Sequence, residues 1–194
     1  MRKKLDKLIY GIATNDLDRP VWSRKEGKRI VCPIYSDWLG MLMRCYCPIL
    51  HSKRPSYIGC SVIEPWLKLS NFESWMVTQD WQGKALDKDL LVKGNKLYSP
   101  ETCVFIPESL NCFILESEAN RGEYPIGVYW DKEANKYKAQ CNNPFTRKKE
   151  SLGRFLDPNE AYLAWKAKKH EHALRYADQQ TDSRIAEALR TRYL

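Results

Sequence analysis

The sequence lacks the apolar segments that membrane and exported proteins carry. No stretch of roughly 18 consecutive apolar residues occurs, and a membrane-spanning helix needs about that length. The basic start of the chain has only a short apolar stretch with no small-residue cleavage site after it, which argues against a signal peptide. We therefore expect a cytoplasmic protein that has no membrane partner.

Paired cysteine motifs and histidines are also scarce. The seven cysteines include no CxxC pair, so structural zinc is disfavoured and buried, reduced thiols are expected. The cysteines that a zinc ion would have to recruit are Cys32, Cys45, Cys47, Cys60 and Cys103. Of the three histidines, His51 is expected to be an exposed loop residue, and His170 and His172 to be solvated or near a bound nucleic acid.

Positive charge is what the chain has in excess. The 32 Lys and Arg outnumber the 24 Asp and Glu, which gives a formal net charge of +8. Residues 121–194 hold 15 of the basic and 10 of the acidic residues, so the shorter C-terminal part has most of the excess. A basic protein gains affinity for nucleic acid by releasing counterions from neutralised phosphates, although a solvated surface without a partner has the same composition.

The apolar pattern predicts an α+β fold whose N-terminal part, residues 1–120, is largely helical. The predicted segments are irregular chain at 1–35, helices at 36–46 and 64–79, strands at 85–91 and 103–107, and a helix from Pro107 to residue 120. Ser36 or Asp37 is the expected cap of the first helix. A polar loop separates the two strands, so the order strand, strand, helix is that of a ββα-metal motif.

A second domain is predicted at residues 121–180, followed by a C-terminal helix at 181–194. Residues 121–125 look like a linker. Three short segments rich in Tyr, Trp and Val then predict a three-stranded sheet: GVYWD, KYKAQCN and SLGRF. A helix is predicted to start with Asp157 as its cap and Pro158 in its first turn. Basic and aromatic residues alternate along the strands, so one face can be charged while the other packs.

These C-terminal segments resemble the Apetala-type, ethylene-response-factor-like DNA-binding domain. The shared features are Gly127-Val128, Tyr137-Lys138-Ala139, Leu152-Gly153-x-Phe155 and Glu160-Ala161-x-x-Ala164. The resemblance implies that the sheet reads double-stranded DNA, although the turn after Cys141 is longer than in plant members. The expected DNA contacts are Tyr129, Trp130, Lys136, Lys138, Gln140, Arg147, Lys148, Lys149 and Arg154. A small α+β domain without a nucleic-acid role is the competing interpretation.

Nearly the whole chain resembles phage-encoded HNH homing endonucleases, which often join an HNH core to an Apetala-type domain. The stretches that carry the resemblance are YGIATND, YSDWLGMLMRCY and LDKDLL…GNKLYSPETCVFIPESLN. It implies metal-dependent hydrolysis of DNA phosphodiester bonds in the cytoplasm of a bacterial host. The motif places Asp87 at the carboxylate position, Lys88 at the base position, Asn95 or Thr102 in the middle and Asn111 on the helix. Asp87, Asp89 and Asn111 would be the metal ligands, and such hard oxygen donors suit Mg²⁺ better than zinc.

Lys88 stands where the family has its histidine. Histidine suits a general base because its pKa lies near neutrality, whereas a lysine between two acids is held in its charged form. Lys88 therefore contacts phosphate as a charge, or the site is degenerate. Three functions stay open: a homing-type endonuclease, a catalytically inactive DNA-binding regulator or phage accessory protein, and a protein-interaction factor that binds an acidic partner. Steep salt dependence of DNA binding would separate the first two from the third.

Overall fold

The structure, a computed structural model, describes residues 8–115 and 122–194. The chain divides into two compact units, Met1–Ile106 and Pro107–Leu194. The fold is a mixed α+β fold with several small sheets, as the sequence predicts. Over the described ranges, no helix combines the length and the apolar character that crossing a membrane requires.

The first unit begins with a hairpin and continues as helices linked by short strands. Its elements are β1 (Trp22–Lys25), β2 (Lys28–Val31), α1 (Pro33–Tyr46), α2 (Pro48–Lys53), β3 (Ser61–Val62), α3 (Leu69–Met76), β4 (Lys84–Asp87), β5 (Leu97–Tyr98) and β6 (Val104–Pro107). Two 3₁₀ turns lie at Pro55–Tyr57 and Glu64–Leu67. Strand β1 pairs with β2 in antiparallel fashion, β3 with β5 in parallel fashion, and β4 with β6.

Two predictions for the start of the first unit are wrong. The strands β1 and β2 lie where irregular chain is predicted. Helix α1 begins at Pro33, so Cys32 occupies the N-cap position and neither Ser36 nor Asp37 caps the helix. Proline has a fixed φ that suits the first turn of a helix and lacks the amide hydrogen that a cap would satisfy, which explains the earlier start.

Several large aromatic side chains lie in the core of the first unit. Trp38 is completely buried, and its indole Nε1 donates a hydrogen bond of 2.7 Å to the backbone oxygen of Trp66. The ring of Trp66 lies 5.2 Å from that of Phe72 and 4.5 Å from that of Trp75. The helical stripe over residues 64–79 is therefore core, as predicted, although it divides into a 3₁₀ turn and α3.

The second unit contains the predicted sheet and helix. Its elements are α4 (Glu108–Ile114), β7 (Val128–Asp131), β8 (Lys136–Asn142), β9 (Lys149–Phe155), α5 (Pro158–Ala177) and α6 (Ser183–Thr191). The three strands form an antiparallel sheet with β8 in the centre. Asp157 caps α5 as predicted, because its carboxylate accepts a hydrogen bond of 2.9 Å from the amide of Asn159. The predicted continuation of α4 over residues 116–120, and residue 121 of the predicted linker, lie outside the described residues.

Helix α4 belongs with the second unit, so the observed division precedes the predicted boundary at residue 120. The Phe113 ring lies 5.2 Å from that of Tyr176 on α5. The Nζ of Lys169 donates a hydrogen bond of 2.5 Å to the Phe113 oxygen, and Arg192 donates one of 3.3 Å to the Ile114 oxygen. Two cations thus bind carbonyls at the C-terminal end of α4, where the helix dipole favours positive charge.

Helix α5 lies close against the sheet through small residues. Val128, Ala139 and Ala161 form a buried cluster between the strands and the helix. Gly127 has a φ of +79°, and a β-carbon at this position would lie 2.0 Å from Cδ1 of Trp165. The close approach of the chain to the helix therefore requires glycine at this position.

Candidate nucleic-acid interface and the Lys88 loop

One face of the three-stranded sheet points away from α5, and we call it the outward face. Val128 on β7 pairs with Ala139 on β8, and both side chains pack against α5. Side chains alternate along a strand, so the next pair, Tyr129 and Lys138, points away from the helix. On the other side of the bulge between Ala139 and Gln140 the alternation continues. The outward face carries Tyr129, Asp131, Lys136, Lys138, Gln140, Asn142, Lys149, Ser151 and Arg154.

The outward face brings together six of the nine predicted DNA contacts. These are Tyr129, Lys136, Lys138, Gln140, Lys149 and Arg154. Trp130 lies on the opposite face, where its ring packs edge-on against that of Tyr137 at 4.9 Å. Arg147 and Lys148 lie in the hairpin between β8 and β9, beside the face rather than on it.

The charge of the outward face is mainly positive. Four cations oppose the single carboxylate of Asp131, and that carboxylate is already used. The Nε of Arg154 donates to its Oδ2 at 2.8 Å, and this hydrogen bond lowers the pKa of Asp131. Three lysines on the face, Lys136, Lys138 and Lys149, remain to neutralise an anionic partner.

A buried polar cluster holds the β8–β9 hairpin, and sequence analysis missed it. The Asn143 Oδ1 accepts hydrogen bonds of 2.9 Å and 3.0 Å from the amides of Phe145 and Thr146. Its Nδ2 donates to Glu150 at 2.7 Å, and His172 Nε2 lies 3.2 Å from the other oxygen of that carboxylate. The Asn143 bond lowers the pKa of Glu150, and burial lowers the pKa of His172. The expectation of a solvated or DNA-contacting His172 is therefore wrong, because its side chain is 1% exposed.

The Lys88 loop, residues 87–99, is built by the polar residues predicted to be catalytic. The Oδ1 of Asp87 accepts hydrogen bonds of 2.8 Å and 2.6 Å from the amides of Asp89 and Leu90. The Nδ2 of Asn95 donates to the backbone oxygens of Lys88 and Leu97, at 2.9 Å and 2.6 Å. Short polar side chains that bond to nearby backbone in this way define tight turns.

Lys88 itself is buried at the centre of the loop. Its side chain is 6% exposed, and its Nζ donates to Asp89 Oδ1 and to the backbone oxygen of Asn95, each at 2.6 Å. The ammonium also lies 5.9 Å from the ring centroid of Tyr98. A buried ammonium needs such partners, because an unpaired charge is costly to remove from water. Lys88 thus links the start of the loop to Asn95.

The surroundings of the Lys88 loop contain a second cation and neutral thiols. The Nε of Arg44 donates to the Tyr98 hydroxyl at 2.9 Å. Burial raises the pKa of Cys45 and of Cys103 to about 12, so both thiols stay protonated near neutral pH. His51 lies on α2 rather than in a loop, and its Nε2 is 2.9 Å from the Arg44 oxygen.

The predicted metal ligands are divided between the two units. Asp87 ends β4 and Asp89 lies two residues later, both in the first unit, whereas Asn111 lies on α4 in the second. One Asp87 oxygen holds two amides, and one Asp89 oxygen holds the Lys88 ammonium, which repels a cation. The described ranges contain no group of three or more His, Cys, Asp or Glu placed to bind a metal ion. The first unit therefore supplies two of the three predicted ligands, Asp87 and Asp89.

Comparisons with protein-family models, with curated proteins and with solved structures find no match to this chain. The outward face offers lysines, a tyrosine and amides on one sheet surface. The Lys88 loop offers two carboxylates and a lysine whose bonds are intramolecular.

Proposed function

We propose that the chain binds double-stranded DNA through the outward face of its three-stranded sheet. The observation that carries this proposal is the grouping of Lys136, Lys138, Lys149 and Arg154 on one sheet face with only Asp131 against them. Each phosphate that a lysine neutralises releases a counterion and adds affinity. Tyr129 and Gln140 lie among these cations, and amides and aromatic rings can contact base edges and sugars.

The groove geometry of DNA supports the same proposal. The major groove is about 12 Å wide and admits strands of a small sheet as well as a helix. Helix α5 backs the sheet on its other side, so the strands are held as a rigid surface. The polar cluster of Asn143, Glu150 and His172 holds Arg147 and Lys148 at the edge of that surface. A backbone that is already rigid loses little conformational entropy when it binds.

A two-charge comparison tests the binding proposal. Lys138→Gln/Lys149→Gln removes two cations from the outward face, and Lys53→Gln/Arg54→Gln removes two exposed cations from the first unit as a matched control. The sheet variant is expected to lower the log–log salt slope of binding to a DNA duplex by about 1.8, if both lysines contact phosphate, and the control to leave it unchanged. An unchanged slope and affinity in the sheet variant would refute the proposal.

A second candidate function is cleavage of that DNA by an HNH-like, homing-type endonuclease. The observation that favours it is the order β4, β6, α4, in which the two strands pair and Asp87 ends the first of them. The proposed reaction is hydrolysis of a phosphodiester bond, with Mg²⁺ as the expected cofactor. Lys88 donates two hydrogen bonds in its buried position, so its role here is that of a positioned cation rather than a base.

The alternative within this architecture is a catalytically inactive DNA-binding regulator or phage accessory protein. Asp87→Asn distinguishes the nuclease from the inactive regulator. The asparagine side chain still has an oxygen that can accept from the backbone amides of Asp89 and Leu90, but it lacks the negative charge. Asp80→Asn, at an exposed carboxylate of the same unit, is the matched control. Magnesium-dependent cleavage of phage or host genomic DNA that Asp87→Asn abolishes and Asp80→Asn retains supports the nuclease. Specific binding without cleavage in any divalent metal supports the regulator.

A further inference from the structure

The hairpin of β1 and β2 projects from the core of the first unit, and we call residues 22–31 the basic ribbon. Its base is held by a hydrogen bond of 2.8 Å from the Cys32 amide to the oxygen of the buried Val21. Its turn consists of Glu26 and Gly27, with φ values of +52° and +76°. Positive φ at both turn residues is the requirement of a type I′ turn, whose twist matches that of the strands.

The basic ribbon is exposed along its length. Residues 22–30 are all exposed, including Trp22 at 45% and Ile30 at 46%. These two large apolar side chains lie on opposite faces of a ribbon that carries four cations. An isolated two-stranded hairpin is only marginally stable in water, and burial of residues 22–30 adds little to the stability of this one.

The cross-strand pairs of the basic ribbon are unfavourable in the free protein. Arg24 is directly opposite Arg29, and Lys25 is directly opposite Lys28. Like charges that face each other across two strands destabilise a sheet. Within the described part of the chain, none of these four residues forms an ion pair with a carboxylate. A polyanion bound along the ribbon would convert this repulsion into binding energy.

We propose that the basic ribbon is a second contact surface for double-stranded DNA, separate from the outward face of the sheet. The ribbon proposal rests on the proposed function only because it takes the same ligand, DNA. Strand alternation places Arg24 and Arg29 on one face of the ribbon, and Lys25 and Lys28 on the other. A ribbon with cations on both faces suits a groove, where phosphates line both walls, better than the single surface of an acidic protein.

Trp22 shares a face with the two arginines of the ribbon. The guanidinium of Arg29 lies 5.1 Å from the centroid of its ring. This cation–π contact restrains a long side chain before binding and leaves its hydrogen-bond donors available to phosphate. The ribbon therefore presents one restrained arginine beside an exposed aromatic ring, which is suited to contact with phosphate and sugar.

The test compares three double variants of the full chain on one DNA duplex of about 30 base pairs. Arg24→Gln/Arg29→Gln changes the ribbon, Lys138→Gln/Lys149→Gln changes the sheet, and Lys53→Gln/Arg54→Gln is the matched control. Two lost phosphate contacts lower the salt slope by about 1.8 and the affinity at 0.1 M salt by up to about 60-fold. The ribbon variant is expected to show this loss and to shorten the hydroxyl-radical footprint. Its thermal unfolding temperature is expected not to fall, because a like-charge pair has been removed.

The outcomes separate the two proposals. Loss of affinity in the sheet variant alone overturns the ribbon proposal and leaves the sheet proposal standing. Loss in the ribbon variant alone supports the ribbon and overturns the sheet as the binding face. Polyglutamate is the competitor that tests for an acidic protein partner. If it competes as effectively as DNA of equal charge, and the ribbon variant abolishes this competition, the ribbon binds an acidic protein and the proposal for DNA is overturned. A ribbon variant that binds and footprints like the control also overturns it.

Discussion

Replacement of Lys88 by methionine is the most direct test of what this lysine does. Methionine matches the length of the lysine stem but cannot donate a hydrogen bond, so the variant removes the ammonium with little change in shape. If Lys88 holds its loop together, Lys88→Met lowers the free energy of unfolding of the first unit. If Lys88 serves only chemistry or DNA contact, the stability stays the same.

The expected magnitude follows from the two partners of the ammonium. The backbone oxygen of Asn95 loses its Lys88 donor, and a buried polar group left unsatisfied costs about 1–3 kcal/mol. The side chain of Asp89 is 41% exposed, so its ion pair contributes only about 0–1 kcal/mol. Relief of the desolvation of the ammonium offsets part of the loss. We therefore expect a net destabilisation of about 1–3 kcal/mol.

Urea unfolding of the full chain measures this change. A loss of that size lowers the midpoint by on the order of 1 M urea, because the slope for small proteins is about 1–3 kcal/mol per M. Lys53→Met, at an exposed lysine, is the control and is expected to stay within about 0.5 kcal/mol of the parent. Amide exchange over residues 87–99 locates the effect in the loop. A midpoint for Lys88→Met equal to or above that of the parent would refute the structural role.

Four further outcomes are expected. Gly127→Ala destabilises the second unit by about 2–4 kcal/mol in urea unfolding, because the new β-carbon meets the Trp165 ring and the positive φ is strained. Burial lowers the pKa of His172 below 6.5, so the unfolded chain takes up the proton first as the pH falls. The free energy of unfolding therefore decreases as the pH falls below about 6.5, and His172→Gln flattens that dependence in thermal scans. Alkylation of the native protein modifies the exposed Cys112 before the buried Cys45, as peptide mass mapping would show. Lys88→His shortens the side chain, so urea unfolding shows lower stability, while any magnesium-dependent cleavage is retained or raised.

The sheet and helix of the second unit were predictable because their signals are local. Asp157 and Pro158 mark the start of α5, and the alternation of side chains marks the strands. The same alternation places the adjacent residues Tyr129 and Trp130 on opposite faces of the sheet, which the strand pattern already indicates. The cluster around Asn143 was not available, since it depends on a histidine from α5 meeting the hairpin in space.

The sequence of strands β1 and β2, which were not predicted, has no apolar face. Strand prediction depends on one apolar face, and residues 22–30 are exposed on both faces of the ribbon. Only the two-residue turn at Glu26 and Gly27 indicates a hairpin. The burial of Lys88 also could not be predicted from the sequence, because lysine is almost always exposed unless it is paired. Its partners, Asp89 and the Asn95 oxygen, are brought to it by the folded loop.

The hydrogen bonds of Lys88 bear on both proposed functions, which are DNA cleavage and DNA binding without cleavage. A general base typically contributes about 10²- to 10⁴-fold to rate. In the proposed nuclease Lys88 does not supply that help, because its ammonium donates to Asp89 and to the Asn95 oxygen. Asp87 and Asn95 also support the turn, so their presence together is explained by the loop without chemistry. The presence of these residues therefore does not by itself indicate cleavage. The proposed DNA binding needs neither Asp87 nor Asn95, since the sheet and the ribbon have their own cations.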